Sequence, residues 1–314
     1  MAVVTSLSIA SCFGYVHPWL DLLSHFQLVY LFLYLILVLA LLFFKSYRFA
    51  AVTFALLLLS GRPVFSMFSP VVSSNRNSDG QLVFGLPQVR LRILQVNPQA
   101  DKNHKTSAAI DYIRELQPDV FAITELSDEW NSALQAEFSD YPYRAIARKY
   151  SSGLALFSKL PIKNQEIIYY PGDPVEHPQI RCQLKSSAGL IKCIVAHPTV
   201  PKKLVASRNA ELLAIGEVAA KNGSRCVVFG DLNCSPWSYY FARLLDEGRL
   251  NDSEQGFGPQ PSWSTELLIP VVPIDHFLVS KDIEVSNRAL GPNIGSDHLP
   301  VYVDLLVKNS VTKP

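Results

Sequence analysis

An uninterrupted run of 19 uncharged residues, Phe26–Phe44 (FQLVYLFLYLILVLALLFF), constrains this chain more than any other feature. A helix crosses the hydrocarbon core of a bilayer with about 20 apolar residues. A helix in a soluble core is seldom apolar on every face for that long. The run therefore predicts a spanning helix. A second apolar stretch, Phe49–Phe65, ends beside Arg62 and Pro63, where the arginine would snorkel to the interface. A third, Met1–Val16, is short and lacks the basic flank of a cleaved leader, so it reads as a further span. Two or three membrane helices are thus expected within residues 1–69, at roughly 2–17, 26–44 and 49–69.

Charge sharpens that boundary. Only 18% of the 314 residues are charged, against about 25% in an average soluble protein. The shortfall is local, because residues 1–70 contain only Asp21, Lys45, Arg48 and Arg62. Of the chain's 28 basic and 27 acidic residues, 25 and 26 lie beyond residue 70, a net charge of −1 there. Such a balance disfavours a protein that grips long nucleic acid through a broad basic surface. Lys45 and Arg48 occupy the tight loop between the two later spans. The positive-inside rule puts that loop in the cytoplasm and everything beyond the next span outside. Residues 70–88, rich in Ser, Asn, Gly and Pro, read as a linker to a soluble domain over 89–308.

Within that domain, strands are expected at Leu91–Val96, Val120–Thr124, Leu154–Ser158, Ile162–Tyr169, Ile180–Leu184, Leu190–Ala196, Arg225–Phe229, Ile274–Val279 and Val301–Leu305. Helices are expected at Asn103–Gln117, Asp128–Phe138, Leu204–Lys221 and Tyr239–Glu247. Consecutive hairpins among these strands exclude a purely parallel doubly wound sheet. Two mixed sheets with helices outside them fit better. In the hairpin joined by Lys185–Gly189, Cys182 falls opposite Cys193 if the turn is centred between Ser187 and Ala188. That geometry admits a disulfide if the pair is a non-hydrogen-bonded one.

Six polar groups follow a strand: Asn97, Glu125, His197, the Gly230-Asp231-Leu232-Asn233 turn, Asp275-His276 and Ser296-Asp297-His298. An Asn or Asp after a strand is commonly just a turn former. Six at equivalent positions instead suggest one rim, where α/β folds build their sites. Glu125 and Asp297 are hard oxygen ligands suited to Mg²⁺ or Mn²⁺, and no Cys or His spacing resembles a zinc site. Asp275 and His298 form a potential carboxylate–imidazole pair. Asp231 has the chemistry to deprotonate a water, and Asn233 and His197 to donate to phosphoryl oxygens. His276 and His177 lack such context, and strand alternation turns His276 away from the rim.

VNPQAD (96–101), AITEL (122–126), SGLALFSK (152–159), AHP (196–198), GDLN (230–233), PIDHFLVS (273–280) and GSDHLPV (295–301) together resemble the ordered motifs of the endonuclease/exonuclease/phosphatase superfamily. The match runs from about residue 90 to 306. PWLDLLSHFQ and GDLNCSPWS further resemble a membrane-anchored bacterial branch, whose members are associated with teicoplanin resistance or are uncharacterised inner-membrane proteins. The resemblance implies a four-layer α/β sandwich of two mixed β-sheets flanked by helices. It implies a divalent-metal-dependent phosphoesterase with metal on Glu125 and Asp297, Asp231 and Asn233 acting on the nucleophile and phosphate, and an Asp275–His298 dyad; Asn97 opens the first motif. Gln99 stands where nuclease members often carry an acid, and Tyr150 is one residue out of register with a tyrosine found in some members.

The expectation is then an enzyme of the bacterial inner or plasma membrane, with its catalytic domain periplasmic or extracellular. Tethering favours a phosphoester near the bilayer, such as a lipid head group or a lipid-linked envelope precursor. The alternatives are an extracytoplasmic nuclease and a catalytically silent binding module on the same fold.

Overall fold

The computed structural model describes residues 1–69, 88–149, 152–170, 177–267 and 271–308. The expected linker over 70–88, apart from Gln88, lies outside the described residues, as does Tyr150.

The N-terminal part consists of α1 (Ala2–Ser11), α2 (Pro18–Leu23), α3 (Gln27–Phe43) and α4 (Tyr47–Ser66). A 3₁₀ turn at Ser24–Phe26 joins α2 to α3, so that Pro18–Phe43 runs on as 26 helical residues. This segment and the 20-residue α4 are long and apolar enough to cross a membrane. Each residue of helix advances about 1.5 Å, so both match a hydrocarbon core about 30 Å thick. Phe32, Leu39, Phe43, Phe54 and Leu58 stand exposed on their outer faces. The third expected span, 2–17, forms only the ten-residue α1 and falls short of that thickness.

The second part contains β1 (Gln88–Val96), α5 (Thr106–Leu116), β2 (Val120–Ile123), α6 (Asp128–Glu137), β3 (Tyr143–Lys149), β4 (Ser152–Ser158), β5 (Ile162–Tyr169), β6 (Pro178–Ser186) and β7 (Gly189–Ala196). It continues with α7 (Pro201–Asn222), β8 (Cys226–Asp231), α8 (Tyr239–Gly248), β9 (Leu250–Asp252), β10 (Asp275–Ser280), β11 (Ile283–Leu290) and β12 (Val301–Lys308). Two six-stranded sheets result, in the orders β11-β12-β1-β2-β4-β3 and β5-β6-β7-β8-β10-β9. Strands β3, β9 and β11 add to those expected from the sequence.

The sheets face each other across an apolar core that includes Ile93, Val303 and Leu305 on one side and Val195, Phe229 and Phe277 on the other. The Phe229 and Phe277 rings stack at 5.2 Å. Ile110, Ile113, Trp130 and Leu134 seat α5 and α6 on the first sheet. Leu212, Ile215, Phe241 and Leu244 seat α7 and α8 on the second. Burying each such side chain contributes about 1.5–3 kcal/mol. The order helix, sheet, sheet, helix is the expected four-layer α/β sandwich with mixed sheets. Cys182 does pair with Cys193 across β6 and β7, but both remain thiols. They pack as small hydrophobic side chains in the core between the sheets.

Topology explains why polar residues gather. Among the described residues only β1–β2 and β7–β8 pair in parallel, and α5 and α7 supply their crossovers. Parallel neighbours end on the same edge, so Asn97 and Glu125 follow one pair while His197 and Asp231 end the other. Asp275 opens β10 and does not follow a strand, which differs from the sequence expectation. It reaches the same rim because β10 runs antiparallel to β8, opposing Asp275 to Asp231. Residues 296–298 arrive there because β12 begins antiparallel to the end of β1, with Val301 opposite Gln95.

Candidate active site

Asp231 is the centre of the cluster and is almost fully buried. Asn97 Nδ2 donates to Asp231 Oδ2 at 3.0 Å and to Glu125 Oε1 at 3.3 Å, and lies 3.4 Å from His298 Nε2. Asn97 is itself held by Ser296 Oγ, which donates to its carbonyl at 2.7 Å. His197 Nε2 stands 3.6 Å from Asp231 Oδ2 and 3.9 Å from Glu125 Oε1. On the other flank, His298 Nδ1 donates to Asp275 Oδ2 at 2.9 Å, and Ser262 Oγ donates to the same oxygen. His298 Nε2 lies 3.7 Å from Asp231 Oδ2.

Backbone geometry makes this density of groups possible. Gly230 has φ +141, and a Cβ there would sit 2.0 Å from the Ala196 carbonyl. Only glycine lets β7 and β8 approach this closely beside His197 and Asp231. Glu125 and Asn233 both adopt left-handed backbone, at φ +46 and +50. Asparagine tolerates that region, whereas glutamate pays strain there that its surroundings must offset. Asn233 is pinned twice: its N–H donates to Asp231 Oδ1 at 2.9 Å and its Nδ2 to the Pro198 carbonyl at 2.9 Å.

Electrostatics separate the roles of the two central groups. Burial raises the Asp231 carboxyl to about 7, with the Asp275 charge adding to the rise and His298 opposing it. Burial alone would lower His298, but the Asp275 and Asp231 carboxylates outweigh it and lift the imidazole to about 10. At neutral pH His298 is then a cation with an N–H to offer, and Asp231 is the group able to take a proton.

A divalent cation has suitable donors here. Glu125, His197 and Asp231 present ligand atoms within 4.8 Å of one another, as do Asp231, Asp275 and His298. Glu125 keeps 26% of its side chain exposed, leaving room for the waters that Mg²⁺ retains. Asp297 belongs to neither group. Its Oδ2 accepts from Trp263 Nε1 at 3.1 Å, and its buried Oδ1 has no hydrogen-bond partner. An orphaned carboxylate oxygen beside this cluster fits a ligand to a hard cation.

The family model for "Endonuclease/Exonuclease/phosphatase family" matches residues 77–298. The chain belongs to this family. Nothing among curated proteins matches it. TDP2 from D. rerio, solved in complex with a single-strand DNA product, has a TM-score of 0.58 at 18% identity, over 69% of this chain and 98% of that one. A family protein from Bacteroides thetaiotaomicron gives 0.58 at 15%, over 71% and 99%. A functionally unknown conserved protein from Enterococcus faecalis gives 0.58 at 15%, over 68% and 99%. At such identities the likeness speaks for the fold.

The endonuclease/exonuclease/phosphatase family hydrolyses phosphoester bonds and generally uses divalent metals. The structure brings Asn97, Glu125, His197, Asp231, Asp275 and His298 together within hydrogen-bond or ion-pair reach. It sets Asn233 at the edge with its amide turned to backbone, and Asp297 against Trp263. His276 is buried beneath the rim, its Nε2 donating to the Cys234 carbonyl at 2.7 Å, in keeping with a structural role. Ser262 and Trp263 are additions that sequence reasoning missed, since a Ser-Trp pair in a loop carries no periodic signal. His177 is another: its ring packs edge-on against His197 at 5.3 Å.

Proposed function

We propose that this chain is a membrane-anchored, outward-facing phosphoesterase acting on a lipid head group or a lipid-linked envelope precursor. The observation that carries the chemistry is the buried Asp231 carboxylate, held between Asn97, His197 and the Asp275–His298 pair. A water on Asp231 gives up a proton to the carboxylate as its oxygen attacks phosphorus, and the phosphorus–oxygen bond in line with it breaks, the leaving oxygen taking its proton from solvent. Asp275 fixes the His298 ring through Nδ1, and the imidazolium directs charge and its Nε2–H at the phosphoryl oxygens. Asn97 and His197 add donors on the opposite side, and Asn233 holds the turn that carries Asp231. Glu125 and Asp297 are the proposed holders of Mg²⁺ or Mn²⁺, which when bound neutralises the phosphoryl charge.

Two features support the membrane part of this reading. The exposed faces of α3 and α4 are rich in Phe and Leu, an arrangement water disfavours over such an area. Lys45 and Arg48 lie at the turn between them, as the positive-inside rule requires of a cytoplasmic loop. The PWLDLLSHFQ and GDLNCSPWS motifs are the basis for assignment to the membrane-anchored bacterial branch.

The test is a substrate screen of the full chain in detergent micelles or nanodiscs with Mg²⁺ or Mn²⁺, comparing phospholipids, polyprenyl phosphates, DNA and RNA. Cleavage of an amphipathic phosphoester ahead of nucleic acid is expected. Cleavage of DNA or RNA alone would replace this reading with the extracytoplasmic nuclease. No cleavage of any of them, with metal still bound, would favour the silent binding module.

A further inference from the structure

Two sequence features have no part in the chemistry above: the Pro18-Trp19-Leu20-Asp21 segment before the long apolar run, and the Cys234-Ser235-Pro236-Trp237-Ser238 segment after the Asp231 turn. The fold joins them. Asp21 is fully buried. Its carboxylate accepts from Ser238 Oγ at 2.8 Å, from the Tyr239 N–H at 2.8 Å and from Arg208 Nη2 at 2.9 Å. Ser24 Oγ adds a contact to Ser235 Oγ at 3.5 Å.

Arg208, on α7, is also fully buried, and its guanidinium is shared three ways. While Nη2 meets Asp21, Nη1 donates to the Asn233 carbonyl at 2.7 Å and Nε donates to Asn209 Oδ1 at 2.7 Å. Asn233 N–H in turn donates to Asp231 Oδ1. An unbroken chain of hydrogen bonds thus runs from the N-terminal helices to the catalytic carboxylate: Asp21, Arg208, Asn233, Asp231. A second tie leaves the C-terminal end of α4. The Met67 carbonyl accepts from the Gly256 and Gly258 N–H groups at 2.7 and 3.2 Å. The same loop ends at Gln260, whose Nε2 donates to the Arg288 carbonyl, and buried Arg288 donates from Nη2 to the Asp275 carbonyl at 3.0 Å.

A buried guanidinium is tolerated only with its counter-charge in place. Without the Asp21 charge, Arg208 must turn toward water and release the Asn233 carbonyl. We propose that Asp21 and Arg208 are positioning residues, through which the docked N-terminal helices hold the Asp231–Asn233 turn in its working geometry. The proposal rests on the phosphoesterase reading for its kinetic arm alone.

The test uses the full chain in detergent micelles with Mg²⁺, the chromogenic phosphodiester bis(p-nitrophenyl) phosphate, and amide hydrogen exchange. Asp21→Asn keeps the shape and removes the charge. Arg208→Lys keeps the charge but has a single nitrogen, which cannot hold Asp21, Asn209 and the Asn233 carbonyl as the fork does. Each variant is expected to lose about ten- to a hundredfold in kcat, since small misplacements of reacting groups cost that much. KM and the Mg²⁺ concentration for half activity should stay within about twofold of the parent, and a general loss of fold is told apart by the exchange pattern. Exchange should rise in peptides over 231–241 and stay unchanged over β12, where local opening is not expected. Parent kcat in either folded variant overturns the proposal. A parent that hydrolyses no phosphodiester refutes the phosphoesterase reading instead; exchange then decides, and unchanged protection at 231–241 in both variants overturns the positioning role.

Discussion

Asp275→Asn replaces one carboxylate oxygen by an NH₂ group and takes one negative charge from the middle of the site. Asp275 is fully buried, and its Oδ2 receives both the His298 Nδ1–H at 2.9 Å and the Ser262 hydroxyl. The amide oxygen can take the place of Oδ2 and keep both bonds, with the NH₂ where Oδ1 has no hydrogen-bond partner, so the change acts through the lost charge. Two unit charges about 4 Å apart interact by about 4 kcal/mol at an effective dielectric constant of 20. His298 carries its charge before the attack as well as during it, so the loss acts first on its protonation: at 1.36 kcal/mol per pKa unit it brings the imidazole from about 10 down toward neutrality. If the imidazolium acts on the phosphoryl group as proposed, kcat measured at pH 9 should therefore fall by about a hundredfold, with the deficit shrinking as the pH is lowered. Because Asp275 is not proposed as a metal ligand, the metal requirement should hardly move. Initial rates of the full chain with its best phosphoester, at a series of Mg²⁺ concentrations, measure both quantities. A kcat within tenfold of the parent at pH 9 would refute the dyad. A large rise in the Mg²⁺ needed for half activity would move Asp275 into the metal site.

Four other outcomes are expected. Glu125→Gln should weaken Mg²⁺ binding by about tenfold or more in titration calorimetry while the thermal unfolding temperature holds, because one anionic ligand is lost without a change of shape. A periplasm-active reporter fused after residue 80 should be active and one fused at Ser46 inactive; the reverse pattern refutes the orientation. Cys182 and Cys193 should both be alkylated in denatured, unreduced protein, since both are free thiols; mass spectrometry reads this directly. Asp304 is buried, which alone would raise its pKa, yet hydrogen bonds from Arg92 and Arg90 hold it at about 2. The folded carboxyl therefore binds its proton less tightly than the unfolded one. Its contribution is present above about pH 4 and is lost as pH falls through about 2. Asp304→Asn should lower stability by about 1 kcal/mol at pH 7, allowing for solvent screening, with the difference from the parent closing in acid.

Much of the site was legible because its residues sit at element ends, and ends are where sequence signals are strongest. Asn97, Glu125, His197 and Asp231 each close an apolar strand of four to nine residues, so apolar-to-polar transitions mark them. Strands β3 and β11 were missed for the opposite reason. In β11 (IEVSNRAL) and β3 (YRAIARK) the apolar residues are few or small, and their place at the two edges of the first sheet lets polar side chains interrupt them. Asp275 was found, but at the wrong end of its strand, because antiparallel pairing with β8 and not chain direction brings it to the rim. The Asp21–Arg208 pair had no signal at all. The partners lie 187 residues apart. One acid before an apolar run and one arginine in an amphipathic helix each look ordinary alone.

The docked helices also bear on what reaches the site. Among the described residues the helical pair meets the catalytic part at one end, through Asp21 and Ser24 before α3 and Met67 after α4. The other end, at Lys45 and Arg48, lies the length of α4 away, about 30 Å. If the pair spans a bilayer, the catalytic part and the Lys45–Arg48 loop must occupy opposite faces, whichever way the chain inserts. The catalytic part would then be held against the surface through the loops that follow Asn233 and precede Asp275. Those loops carry the Asp231 turn and support the Asp275–His298 pair, so the rim cannot drift away from the bilayer without breaking the contacts that shape it. A phosphoester presented at the membrane surface meets such a site without bending the anchor. A long duplex would have to lie along the bilayer beside a part of the chain whose net charge beyond residue 70 is −1, which offers it no overall attraction. That asymmetry is the physical ground for testing amphipathic phosphoesters first.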